Sequence, residues 1–216
     1  MSYIDVLSIL KGAGVTMLFS ITGIIIGISL GLALALIRWG KVPILSQLIV
    51  CYVSIIRSAP LVTFILFIFY APALLNIEIS PIVASIIALS LNIAAFNSEI
   101  WRTALMSTPK SQIESAKAMG MTKRMVFTKI VFPQVWRRSV SNLVNDMTIL
   151  IKQTPAVAVI GIVEITRSAS RVGASTYEPL PPFLVATAIY IAILLVFVRG
   201  QRIIERRIAS QYGLKA

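Results

Sequence analysis

The chain is expected to fold as an all-α integral membrane protein with five transmembrane helices, the N-terminus outside and the C-terminus inside. Three observations predict this. Mean hydropathy is +0.90 with only 13% charged residues, the apolar residues gather in long stretches, and the 20 lysines and arginines are distributed lopsidedly between those stretches. A soluble domain of 216 residues would need more polar surface than this composition supplies.

Crossing about 30 Å of hydrocarbon takes roughly 20 mostly apolar residues in a helix. By that measure spans fall at about 13–37, 58–75, 81–101, 139–163 and 181–199. The segment 42–56 is apolar but only 15 residues long, interrupted by Ser46, Gln47 and Ser54. It reads either as an interfacial helix or as the lower part of a second helix kinked at Pro60. A secretory signal carries its cations before the apolar run. Here Arg38 and Lys41 follow it, so the first span is expected to be retained.

Sixteen cations lie in the regions 38–57, 102–138 and 199–215, which five spans place on one side; the other side receives Lys11, Arg167 and Arg171. Lysine and arginine accumulate in cytoplasmic loops, so the net charge of +12 is a signal of topology. A nucleic-acid partner would call for basic residues on a folded soluble face, and none is expected.

Catalysis is a poor fit. The absence of histidine removes the commonest metal ligand and general base, and the single Cys51 excludes a disulfide framework. The carboxylates are scattered, so neither catalytic nor metal-binding residues are expected. No phosphate-binding G-x-x-x-x-G-K-[ST] loop occurs; the nearest stretch, ALIRWGKV, has Ala35 and Val42 at the deciding positions.

The longest polar loop, about 105–135, contains QIESAKAMGMTKRMVFTKIVFP between Gln112 and Pro133. Thr108 suits an N-cap, Pro109 a first helical position and Gly120 a left-handed stop, which predicts a short helix over 109–119. A second helix follows over 123–131, with Val126, Phe127, Ile130 and Val131 on one stripe, and Pro133 opens the fourth span. Taken alone, this is a solvated helix hairpin on the membrane surface.

The spacing of Glu114, Ala116, Gly120, Ile130 and Pro133 resembles the cytoplasmic signature of the permease subunits of ATP-binding-cassette importers: Glu-Ala-Ala, three residues, Gly, nine residues, Ile-x-Leu-Pro. Ser115 and Phe132 depart from it. The likeness extends over nearly the whole chain. YVSIIRSAPLVTFILFIFY is similar to the family's Arg-Gly-Thr-Pro-Leu-Leu region, AFNSEIWRTAL to its Ala-Glu-Ile-x-Arg-Gly segment, and NDMTILIKQTPAVAVIGIVEIT to its fourth span. Gln153 and Pro155 break that last pattern. The branch resembled is the polar amino-acid and opine type, which includes carriers of histidine, glutamate, glutamine and arginine.

The resemblance implies a single type I importer transmembrane domain over 1–216, whose 109–120 loop docks on an ATP-binding-cassette ATPase dimer through Glu114, Ser115, Ala116, Gly120, Ile130 and Pro133. ATP and magnesium would be bound by that ATPase, leaving no cofactor in this chain. It implies also a second permease subunit, identical or homologous, and an extracytoplasmic binding protein that delivers a polar amino acid or opine. The setting would be the lipid of the bacterial cytoplasmic membrane. The alternative is a secondary transporter or channel working without an ATPase, although no inverted repeat is visible.

Polar residues inside spans are costly unless they face protein or water. Asn92, Glu99, Asn145, Asp146, Lys152 and Glu164 are therefore candidates for the substrate path, each equally readable as a polar contact between helices. Asn92, Phe96 and Glu99 share one face of the third span, and Glu99 has a local partner in Arg102. Asp146 and Lys152, six positions apart, point to different faces. If Glu164 faces an outer vestibule it favours a cationic substrate, with Arg167 close enough to neutralise it. Gly23, Gly27 and Gly31 form a ridge suited to close helix packing.

Overall fold

The computed structural model describes residues 2–211; Met1 and residues 212–216, which include the terminal cation Lys215, lie outside it. The described residues form nine α-helices joined by short 3₁₀ and π turns. Helix α1 (Tyr3–Trp39) starts in a capping box made by Ser2 and Asp5, so it runs ten residues further toward the N-terminus than the apolar stretch alone. Helix α4 (Pro81–Met106) begins at a Ser80 cap with proline in its first turn.

The glycine ridge brings these two helices together. Gly23 faces Leu89, Gly27 faces Ile93 and Gly31 faces Asn97. A Cβ on Gly31 would lie 2.9 Å from the Asn97 Cβ and 3.0 Å from the Ala94 carbonyl oxygen. Only glycine allows backbones this close, the small-residue device by which membrane helices gain van der Waals contact.

Helices α2 (Pro43–Ser58) and α3 (Leu61–Tyr70), the latter extended by a 3₁₀ turn over Ala71–Leu75, meet at Ala59–Pro60 with a 115° bend. Pro60 has no N–H to continue α2 and biases Ala59 toward extended backbone, and Ala59 has φ −82 and ψ 136. The break therefore falls at the proline the sequence pointed to. Four described helical stretches are long and apolar enough to cross a membrane, Tyr3–Trp39, Pro81–Met106, Lys123–Ile160 and Leu180–Ile203; the bent α2–α3 pair makes a fifth if it counts as one span.

The loop after α4 carries α5 (Lys110–Ala118) and α6 (Lys123–Val126). Rather than ending at Val131, α6 runs through a π turn (Phe127–Val131) into α7 (Phe132–Gln153). Proline 133 supplies the reason: its ring crowds the carbonyl one turn back and it donates no hydrogen bond. The wider π turn absorbs the misfit, with the Phe132 N–H reaching Phe127 and the Gln134 side chain donating to the Ile130 carbonyl at 2.9 Å. Beyond Gln153 a 3₁₀ turn (Thr154–Ile160) with Pro155 in it ends at Gly161, φ +98. Helix α8 (Ile165–Thr176) and the long α9 (Leu180–Gln211) complete the chain.

Candidate translocation site and coupling loop

Helices α4 and α7 present matching polar stripes. On α4 the stripe is Glu99 and Thr103, continued by the C-cap Ser107 and preceded by the Phe96 ring; on α7 it is Arg138, Asn142, Asn145 and Asp146. The α4 series steps by three or four positions, and on α7 Asn142 follows Arg138 by four while Asn145 and Asp146 follow Asn142 by three and four, the spacing of one helical face. Between them lies an open cavity of about 540 Å³, which Arg57 at the end of α2 also lines. Tyr52 holds α2 in place by donating to the Leu91 carbonyl at 2.6 Å. One turn further along α2, the Arg57 guanidinium stands 5.2 Å from the centre of the Phe96 ring.

A smaller cavity of about 130 Å³ continues along the same seam, lined by Asn92, Phe96, Asp146 and Gln153 among others. Phe96 and Asp146 belong to both, so the two volumes form a row along α4 and α7. One carboxylate oxygen of Asp146 is buried and has no hydrogen-bond partner. A buried unpaired acceptor is costly, and a ligand ammonium or amide entering the cavity would satisfy it.

Four of the six path candidates thus lie along one seam: Asn92, Glu99, Asn145 and Asp146. Glu99 is also held by Arg102, at 2.9 Å from Nε and 2.8 Å from Nη2, and by Arg38 at the end of α1. It joins α1 to α4 at one mouth of the cavity. Lys152 is exposed and lines neither cavity.

Glu164 is fully buried and faces no cavity on this seam. Its carboxylate caps α8, accepting from the Thr166 and Arg167 amides at 2.8 and 2.7 Å, and the Tyr190 hydroxyl of α9 donates to it at 2.9 Å. The Arg167 guanidinium turns instead to the Ala158 carbonyl.

The loop between α4 and α7, the candidate coupling loop, forms a compact knob. Gly120 has φ +81, and its N–H reaches the Lys117 carbonyl at 2.9 Å while the Met121 N–H reaches Ala116 at 3.1 Å. This is a Schellman stop, accompanied by the usual apolar contact: Ala116, 1% exposed, packs with Met121 into a cluster around Trp101, Val131 and Leu143. Glu114, Ser115 and Gly120 remain exposed, whereas Ile130 and Pro133 are half-buried. The helix begins one residue later than the sequence predicts, with Pro109 as the cap residue and Thr108 before it. Gln134 on α7 donates to Gln112 on α5 at 3.0 Å, tying the knob to the cavity wall.

Comparison with known proteins decides the family. The profile of the binding-protein-dependent transport system inner membrane component matches residues 8–210. The chain belongs to that family. This permease is 32% identical over 203 residues to the arginine transport system permease protein ArtQ of Bacillus subtilis, covering 94% of the chain and 93% of that protein. It is 35% identical over 201 residues to the nopaline transport system permease protein NocM of Agrobacterium fabrum, covering 88% and 83%. With the L-cystine transport system permease protein TcyB of Bacillus subtilis it shares 35% identity over 194 residues, covering 89% and 83%.

Among solved structures, an amino acid ABC transporter crystallised with histidines superposes with a TM-score of 0.86 at 26% identity, covering 96% of this chain and 99% of that one. An inward-facing methionine ABC transporter shares the fold, with a TM-score of 0.72 at 19% identity over 96% and 99%. The permease is a multi-pass membrane transport component, not an enzyme. Its cavity includes five polar residues outside the sequence-predicted set: Thr103, Ser107, Arg57, Arg138 and Asn142. The last two were signalled by their spacing from Asn145 and Asp146 along one face of α7.

Proposed function

We propose that this permease carries a polar amino acid or opine across the bacterial cytoplasmic membrane along the α4–α7 seam, driven by an ATP-binding-cassette ATPase dimer that docks on α5. One observation carries the reading: the two helices that line the cavity are tied together at the base of the knob by Ser107–Arg138, and one of them, α7, bonds α5 directly through Gln112–Gln134. A push on α5 therefore reaches the cavity walls through hydrogen bonds. The relatives named for arginine, nopaline and cystine transport support the substrate class.

Amino acids carry a carboxylate and an ammonium, and the cavity offers a charge for each, Arg57 and Asp146, with Asn92, Asn142 and Asn145 beside them. The cationic preference that Glu164 would give at an outer vestibule has no support in its geometry, because its carboxylate is engaged by α8 and Tyr190. ATP and magnesium belong to the ATPase. A second permease subunit, identical or homologous, closes the open side of the cavity, and an extracytoplasmic binding protein supplies substrate. The cation asymmetry supports an outside N-terminus and a coupling knob in the cytoplasm.

The test is reconstitution of the permease with its ATPase and binding protein in lipid vesicles. Uptake of a labelled amino acid or opine is expected to require ATP, and Gly120→Val is expected to insert normally yet lose uptake, because a β-branched residue disfavours the left-handed stop. Uptake driven by an ion gradient without ATP would overturn the reading.

A further inference from the structure

A second cavity, of about 390 Å³, lies between α1, α7 and α9, away from the polar seam. Ile28, Leu143, Met147 and Phe197 line it, and Trp136 and Gln201 supply its polar groups. It faces outward: α9 is the least buried of the four unbroken spans, with 11% of its most apolar window inside the protein, and Val196 at the cavity edge is 68% exposed. Its floor includes Gly200, where a Cβ would meet no heavy atom within 4 Å. Glycine inside a helix costs about 1 kcal/mol relative to alanine, and here no neighbouring atom requires it. What glycine leaves is room.

Cations gather at this end of α9. Arg199 and Arg202 lie within two positions of Gly200 and are exposed, and Arg206 follows one turn on. Long arginine stems let the heads reach the interface while the helix stays in hydrocarbon. Trp136, in the second turn of α7 and 45% exposed, suits the same depth as an amphipathic anchor. An apolar slot ending at a tryptophan and beneath an arginine cluster matches a phospholipid with an anionic headgroup.

We infer that this groove is a specific seat for an anionic phospholipid, one acyl chain lying along Phe197, Gly200 and Met147 and the phosphate held by Arg199 and Arg202. The lipid occupies the leaflet on the side of the coupling knob, where it bridges α7, a wall of the translocation cavity, to α9. A second copy of the chain is a poorer occupant, because a twofold contact brings the same arginines face to face.

The experiment titrates the full-length permease, reconstituted in phosphatidylcholine nanodiscs, with phosphatidylglycerol brominated on its acyl chains, and reads tryptophan quenching against a Trp136→Phe control. Wild type is expected to show a saturable quenching component that Trp136→Phe lacks. Brominated phosphatidylcholine should reach half-effect only at higher mole fraction, by about five-fold for each contributing cation. Gly200→Leu, which fills the slot, is expected to abolish that component. Arg199→Gln with Arg202→Gln is expected to keep quenching but lose the preference for phosphatidylglycerol, an arm that leaves the packing of the slot intact. Equal quenching by the two lipids in wild type, or an unchanged saturable component in Gly200→Leu, would overturn the proposal. So would disulfide pairing of Val196→Cys between two copies, since the second copy would then fill the groove.

Discussion

Arg138, in the second turn of α7, donates to both the carbonyl and the hydroxyl oxygen of Ser107, at 2.8 and 2.6 Å, where α4 ends. This one side chain closes the ends of the loop between α4 and α7 on each other and lines the α4–α7 cavity. Replacing it by methionine keeps much of the apolar stem and removes both bonds. Bonds to a charged donor are worth about 1.5–3 kcal/mol, and solvent exposure puts this pair at the low end. Arg138→Met is therefore expected to transport about tenfold less substrate per ATP hydrolysed. Uptake and phosphate release measured in the same vesicles give the ratio, and an unchanged ratio would remove Arg138 from the coupling route.

The α1–α4 contact predicts a stability effect rather than a coupling effect. Valine at Gly31 would press its Cβ against Asn97 and the Ala94 carbonyl, and at Gly27 against Ile93. Overpacking of this kind costs about 1–3 kcal/mol, more where the neighbour is backbone. Gly31→Val is expected to melt at lower temperature in detergent, by about 2–4 °C for each kcal/mol lost. Gly14→Val is the control, since a Cβ there meets nothing within 4 Å. Equal melting of the two variants would contradict the tight ridge.

Glu164 is expected to act on folding and not on substrate choice. Its carboxylate accepts from two backbone amides in the first turn of α8 and from the Tyr190 hydroxyl, the bond that joins α8 to α9. Loss of an N-cap costs about 1–2 kcal/mol. Glu164→Ala should therefore lower thermal stability while the relative uptake of a series of neutral, anionic and cationic amino acids stays constant. A changed order of preference would return Glu164 to the path.

Local features were legible in the sequence because their causes are local. Uninterrupted apolar runs located the spans, and the left-handed stop at Gly120 follows from glycine after a short helical pattern. The ridge at Gly23, Gly27 and Gly31 could be read as packing without its partner being known. What escaped was set by contacts distant along the chain. Arg38 meets Glu99 across 61 positions, and nothing near either residue announces the pair. Glu164 looked like a charge inside a span because hydropathy does not report that the 3₁₀ turn after Gln153 has already ended the helix and Gly161 has turned the chain. The apolar run over 13–37 missed the first turns of α1, where Asp5 completes the cap and Lys11 is exposed.

Asp146 gives the sharpest test of the substrate path, because its environment in the described residues is incomplete without a ligand. One oxygen is buried and unpaired, and Arg57 lines the same cavity without forming an ion pair to it. A hydrogen bond from a substrate ammonium to this carboxylate would be worth about 1.5–3 kcal/mol, which is roughly ten- to hundredfold in affinity. Asp146→Asn keeps the shape and one acceptor but removes the charge. It is expected to weaken substrate-stimulated ATP hydrolysis by raising the concentration of loaded binding protein needed for half-effect, with assembly on the ATPase unchanged. Arg57→Gln should weaken the response to the α-carboxylate in the same way, so amino-acid amides should lose their disadvantage against free acids in that variant alone. If both variants respond as wild type does, the polar seam is a packing feature and the path lies elsewhere.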